Sequence, residues 1–183
     1  MSSPDSLYRQ AMADDFHSLA PELQLFHSLA GQVTLPGRCT IKGPQTAIGR
    51  LFGKVFSLPE ATAETDFRFE LDADSRQETW RRHFPGRTML SQMHIRSGGL
   101  VERLGPVDLH FQLSARQGQL HMVIQRITFC GISCPKFLLP AVLAEETGAD
   151  GKLHFNVAAT LPLVGILAEY WGYLDLEQVR AAA

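Results

Sequence analysis

The chain has no long apolar stretch, no excess of positive charge, few cysteines and no catalytic signature, and each shortage narrows what it can do. Its longest apolar run, Val157 to Ala168, is about half the roughly 20 residues that a membrane-crossing helix needs, and Pro162 interrupts it. Met1 to Phe16 is polar and acidic, without the apolar core of a secretory signal. The 17 basic and 19 acidic residues leave a net charge of −2, whereas a nucleic-acid binder carries a basic excess on one face. The densest basic stretch, Arg81-Arg82 with His83 and Arg87, is too small to supply one. Three cysteines, Cys39, Cys130 and Cys134, are too few and too odd in number for a disulfide framework. The expectation is a cytoplasmic protein with no nucleic-acid partner and no membrane association.

Catalytic and cofactor motifs are missing as well. No glycine-rich phosphate loop, HExxH or GxSxG sequence occurs, and Gly49-Arg50-Leu51-Phe52-Gly53-Lys54 has the wrong glycine spacing for a phosphate loop. Cys130 and Cys134 have three residues between them and no second pair. The seven histidines form no metal motif, and a metal site needs three or four converging ligands. No metal and no cofactor is therefore expected, and nothing beyond the presence of the thiols supports cysteine chemistry.

What is present suits a globular fold. Hydrophobic residues make up 45% and charged residues 20% of the 183, enough for one domain with a sizeable core. That domain is taken as residues 1–183, with a helical part at about 5–57 and a sheet at about 64–175. Pro4-Asp5-Ser6 offers caps before a short helix from Leu7. Pro21 suits the first position of a second helix, which Gly31 closes. A strand is expected from Val33 to Ile41. Ala47, Ile48, Leu51, Phe52, Val55 and Phe56 then give a third, amphipathic helix ending at Leu58-Pro59.

From Glu64 the period changes to two. Phe67, Phe69 and Leu71 alternate with polar residues, as do Trp80 to Phe84, Met89 to Ile95, Val107 to Leu113 and Gln119 to Phe129, with turns at Asp72–Ser75, Pro85-Gly86, Ser97–Gly99 and Gln117-Gly118. Gly131 to Ala141 reads as irregular or a short helix. Two strands follow, at Leu153 to Ala158 and Gly165 to Leu174, before a frayed helical tail. The apolar stretches Phe137 to Leu143 and Leu161 to Leu167 lack a basic face and read as core. Strands joined by short turns make an antiparallel meander. The predicted class is α+β and β-rich: a curved antiparallel sheet, open or closed like a barrel, with the N-terminal helices packed on it.

The informative residues are polar ones on the apolar face, because side chains two apart in a strand point the same way. Arg82 shares a face with Trp80 and Phe84, and Glu102 with Leu100 and Leu104. Ser91 sits between Met89 and Met93, and Arg126 continues the face of Leu120, Met122 and Ile124. A buried charge is costly unless paired, so Glu102 is expected to pair with Arg82 or Arg126. The cluster reads either as an ion pair that fixes strand register or as a site in an apolar pocket.

Trp80-x-Arg82-x-Phe84, Ser91, Glu102-x-x-Gly105-Pro106 and Leu161-Pro162-x-x-Gly165-x-x-x-x-Tyr170-x-Gly172-x-Leu174 together resemble the bacterial family known as domain of unknown function 4166. Leu7-Tyr8 and Phe26-His27 fit it as well, while Cys134-Pro135-Lys136 departs from its more apolar pattern. The resemblance implies a shared fold. It also implies a role near redox metabolism, because relatives are fused to short-chain or saccharopine-type dehydrogenase-like proteins. The candidate ligand-binding residues are Arg82, Glu102, Ser91, Arg126, Trp80 and Tyr170. The leading expectation is a module that binds a small apolar or amphipathic ligand in the concavity of the sheet. Two alternatives stand beside it: a cofactor-free enzyme using Glu102 as acid or base, and an accessory domain that docks onto a dehydrogenase-like partner.

Overall fold

A computed structural model describes residues 5–44, 46, 50, 61–135, 137, 139–161 and 165–181. The expected third helix, from Ala47 to Phe56, lies outside the described residues except for Arg50, whose N–H donates to the Thr46 carbonyl at 2.9 Å.

Among the described residues eleven antiparallel strands follow one another: β1 (Gly31–Lys42), β2 (Thr62–Ala73), β3 (Gln77–Phe84), β4 (Arg87–Arg96), β5 (Gly99–Leu104), β6 (Val107–Arg116), β7 (Gln119–Phe129), β8 (Ile132–Ser133), β9 (Ala141–Ala149), β10 (Lys152–Leu161) and β11 (Gly165–Asp175). Neighbours pair in the order β6-β5-β4-β3-β2-β1-β11-β10-β9-β7, and β6 also pairs with β7. Ten strands therefore close into a barrel, with the short β8 added beside β7. Closure removes the unpaired edges that an open sheet would present.

The strands form where alternation expects them, and alternate residues of β3 are buried from Glu78 to Phe84. Glycines and other residues at positive φ turn the chain between neighbours, among them Gly86, Ser97-Gly98 and Gln117-Gly118. The strand β9 was not legible. Its sequence, AVLAEETGA, is dominated by alanine and glutamate, residues of low strand preference, and pairing with β10 and β7 holds it in the sheet.

Helices α1 (Leu7–Met12) and α2 (Pro21–Phe26), joined by a 3₁₀ turn at Ala13–Ser18, plug one end of the barrel. Ser6 caps α1, accepting from the Arg9 N–H at 3.3 Å. Pro21 opens α2, although the residue at its N-cap is Ala20 and makes no side-chain bond there. The plug is tied to the turns around it. Gln10 donates to the Ser75 carbonyl at 2.8 Å, and the Ala20 N–H donates to the Gly118 carbonyl at 2.8 Å. Leu7, Tyr8, Phe16, Leu19, Leu23 and Phe26 are all buried and join the barrel interior in one core. A short helix, α3 (Glu177–Arg180), follows β11.

The stretch read as core around Phe137 to Leu143 is corrected. Phe137 is 75% and Leu143 45% exposed, beside exposed Val123, Phe129 and Ile132. No helix of the described residues is long and apolar enough to cross a membrane.

Candidate functional site

Strand β3 sends Glu78, Trp80, Arg82 and Phe84 into the barrel in succession. Its neighbour β4 places Ser91 directly across from Trp80 and Met89 across from Arg82. On the next strand, Glu102 sits across from Met93. This register brings Arg82 between the two polar side chains. Arg82 Nη1 donates to Ser91 Oγ at 2.9 Å, and Nη2 donates to Glu102 Oε1 at 3.1 Å. The guanidinium carbon also lies 4.7 Å from the centre of the Trp80 ring, within cation–π range.

Burial acts to weaken the Arg82 charge, but Glu102 and then Tyr170 outweigh it and hold its pKa above the ordinary value. Tyr170, buried on β11, is pushed up to about 12, first by burial. It is a neutral hydroxyl at neutral pH. Glu102 and Arg82 are thus in direct contact as an ion pair.

The structure thus gathers Trp80, Arg82, Ser91, Glu102 and Tyr170 and leaves Arg126 out. Arg126 is exposed, with its Nη2 3.3 Å from the His110 ring nitrogens. A register shift explains this. His110 pairs with Arg126 but Phe111 pairs with Ile124, so Gln125 is an extra residue in β7. Such a bulge reverses which side the following residues face, and Ile127 is buried instead.

A second buried polar group lies nearer the plug, and sequence reasoning missed it. His27 Nε2 is 2.7 Å from Glu146 Oε2 on β9, with the imidazole wholly buried. Its Nδ1 has no partner among the described residues. The Tyr8 ring stacks on His27 with centroids 3.7 Å apart, and Tyr8 OH reaches Met93 sulfur at 3.7 Å. Trp80 Nε1 donates to Glu78 Oε2 at 2.9 Å. Burial raises the Glu78 pKa, and His27 and the Trp80 bond only partly offset it. Burial also raises the Tyr8 pKa well above its usual value.

Glu78 was recoverable from the sequence, since it continues the Trp80, Arg82, Phe84 alternation one step back. Glu146 was not, because β9 was not seen as a strand. Trp80 links the two groups, with the Tyr8 and His27 rings 6.3 and 6.5 Å from it and Arg82 beside it.

A cavity of about 50 Å³ lies between these groups, with Arg82, Glu146 and Tyr170 in a wall otherwise built from Phe67, Phe69, Phe155 and other apolar residues. Such a volume holds a water or two; pockets for drug-sized ligands run to roughly 300–1,000 Å³. Among the described residues no three His, Cys, Asp or Glu side chains come together as metal ligands. Burial pushes the Cys39 thiol up to about 11, which keeps it protonated at neutral pH.

Fold and site together define a closed ten-stranded antiparallel barrel with paired charges and aromatic rings in its interior. The chain belongs to the family described as domain of unknown function (DUF4166), which matches residues 19–174. Among solved structures it is similar to the crystal structure of Rv2717c from M. tuberculosis, with 11% identity and a TM-score of 0.41, over 87% of this chain and 99% of that one. No curated protein matches it.

Proposed function

We propose that the barrel binds a small apolar or amphipathic molecule in its interior, at the cavity between Arg82, Glu146 and Tyr170. One observation carries this reading: three polar side chains converge on a single cavity whose remaining wall is apolar and largely aromatic, the composition typical of ligand sites. The Tyr170 hydroxyl and the Arg82 guanidinium supply donors, and the Glu146 carboxylate supplies an acceptor. Because Glu102 already neutralises Arg82, a hydrogen-bonding head group suits the site better than a full negative charge. The present volume of about 50 Å³ admits only a ligand of a few atoms. Anything larger requires the rings of Phe67, Phe155 or Tyr170 to turn aside.

Native mass spectrometry of the purified protein, followed by organic extraction, tests the proposal. The expected result is a bound mass that Arg82→Met with Glu102→Gln abolishes while the double variant still melts cooperatively. A bare chain mass and an extract identical to the blank would overturn it.

A further inference from the structure

A wide concavity of the described residues lies on the outside of the barrel. It is a groove of about 620 Å³ across β1, β11, β10 and β9. We infer that this groove is a second binding site, for a neutral hydroxyl-rich molecule of the size of a mono- or disaccharide.

Two glycines shape the seam that the groove crosses. A Cβ on Gly172 would run into the Arg38 carbonyl, and one on Gly37 would run into the Tyr173 carbonyl. Strands β1 and β11 therefore approach more closely than side chains allow, and the floor of the groove includes Gly172 itself. Cross-strand register then sets what stands on that floor. One row across the sheet reads Thr40, Trp171, Asn156 and Glu145, and the next reads Arg38, Tyr173, His154 and Thr147. All eight residues line the groove.

The two rings stand on one strand two residues apart, on the face opposite the buried Tyr170 and about 7 Å from each other. Pairing across strands would by itself account for outward aromatic side chains, but it does not account for a concavity around them. Rings flanked by hydroxyls, an amide and a carboxylate match a sugar. Its C–H face packs on an aromatic plane, and its hydroxyls both donate and accept. Lys42 and Lys152 lie over the Trp171 and Tyr173 rings, at 5.1 and 4.5 Å. Lys42 is a mostly exposed side chain that can swing off its ring when the ring is covered.

Charge decides against other occupants. Arg38 is paired with Glu64, Lys42 with Glu169 and His121 with Glu145, so the lining holds three carboxylates and no free basic patch. A nucleotide or other polyanion would find Arg38 and Lys42 already engaged by carboxylates. A purely apolar molecule would take these ion pairs and the Asn156 amide out of water with no hydrogen bond in return.

The chain has two tryptophans, Trp80 inside the barrel and Trp171 in the groove, and their indole N–H signals in a ¹⁵N NMR spectrum separate the two sites. The probes are maltose, cellobiose, lactose, chitobiose and mannobiose at millimolar concentration, with uridine monophosphate as the anionic comparison. At least one disaccharide is expected to move the Trp171 signal saturably and leave Trp80 in place. Asn156→Ala, at an exposed position, is expected to keep the wild-type melting temperature, and Trp171→Ala, at a half-buried one, to lower it modestly with a cooperative transition. Each should weaken that disaccharide about tenfold or more, followed for the first variant on backbone signals of β10 and β11. No movement with any of the five sugars, or movement with uridine monophosphate alone, overturns the inference. Movement of Trp80 alone also overturns it, and would instead support binding inside the barrel.

Discussion

Arg82 is the residue on which the interior depends most. With Glu102 and Ser91 as its partners it is nearly inaccessible, its side chain 9% and that of Glu102 10% exposed. Arg82→Ala leaves a carboxylate inside the barrel without a counter-charge, at a cost of roughly 3–5 kcal/mol, a large part of the roughly 5–15 kcal/mol that holds a domain together. Denaturant titration should show that loss. Arg82→Met with Glu102→Gln should recover much of it, since no bare charge remains. An Arg82→Ala midpoint equal to wild type would mean that the side chain is exposed and the pair is not buried.

Glu78 behaves in the opposite sense. Burial raises its pKa, so the folded state favours the protonated form. Its contribution is harmless below the ordinary carboxylate range of about 4.3 and turns destabilising as pH rises through the raised value. Glu78→Gln keeps an acceptor for Trp80 and should melt higher than wild type at pH 7. The difference should vanish at a pH below the ordinary range. A gain that persisted unchanged in acid would assign the effect to something other than ionisation.

At the scale of elements, alternation carried most of the barrel. Strands β2 to β7 and β10 to β11 read directly from period-two sequences bounded by turn residues, and inward Arg82, Ser91 and Glu102 followed from the same rule. The failures have separate causes. Arg126 was lost to one extra residue, Gln125, which alternation cannot detect. Glu146 was lost with β9, whose alanines and glutamates take strand conformation only because β7 and β10 flank them. His27 was equally illegible: it follows the last turn of α2, and only the docking of the plug brings it to Glu146.

The β1–β11 seam, which closes the ring, depends on glycine more than any other pairing. Because a Cβ at position 172 would strike the Arg38 backbone, Gly172→Ala should destabilise by roughly 1–3 kcal/mol or more, as overpacking does. It should also speed hydrogen exchange at the amides of β1 and β11 above that of β4 and β5. Wild-type exchange along that seam would mean that the close approach is not required.

For the whole molecule, the question is whether the N-terminal segment is a detachable lid or part of the barrel. Leu7, Tyr8, Met12, Phe16, Leu19, Leu23 and Phe26 are each at most 7% exposed. At roughly 1.5–3 kcal/mol for each buried side chain, their burial contributes upwards of about 10 kcal/mol before the ordering entropy of the segment is set against it. The plug also covers Glu146 through His27, so removing it strips a buried carboxylate of its only ion-pair partner among the described residues. Both terms are of the size of the whole stability of a domain. A chain beginning at Gly31 should therefore keep a strand-rich far-ultraviolet spectrum while binding a hydrophobic dye and losing its sharp thermal transition, the signs of a collapsed state without fixed packing. His27→Ala in the full chain separates the two contributions: it exposes no apolar core, so it should lower the melting temperature yet keep the transition cooperative. If the shortened chain instead melts as sharply and nearly as high as the full one, the helices are a lid over a self-sufficient barrel, and the interior is more open to ligands than its present volume implies.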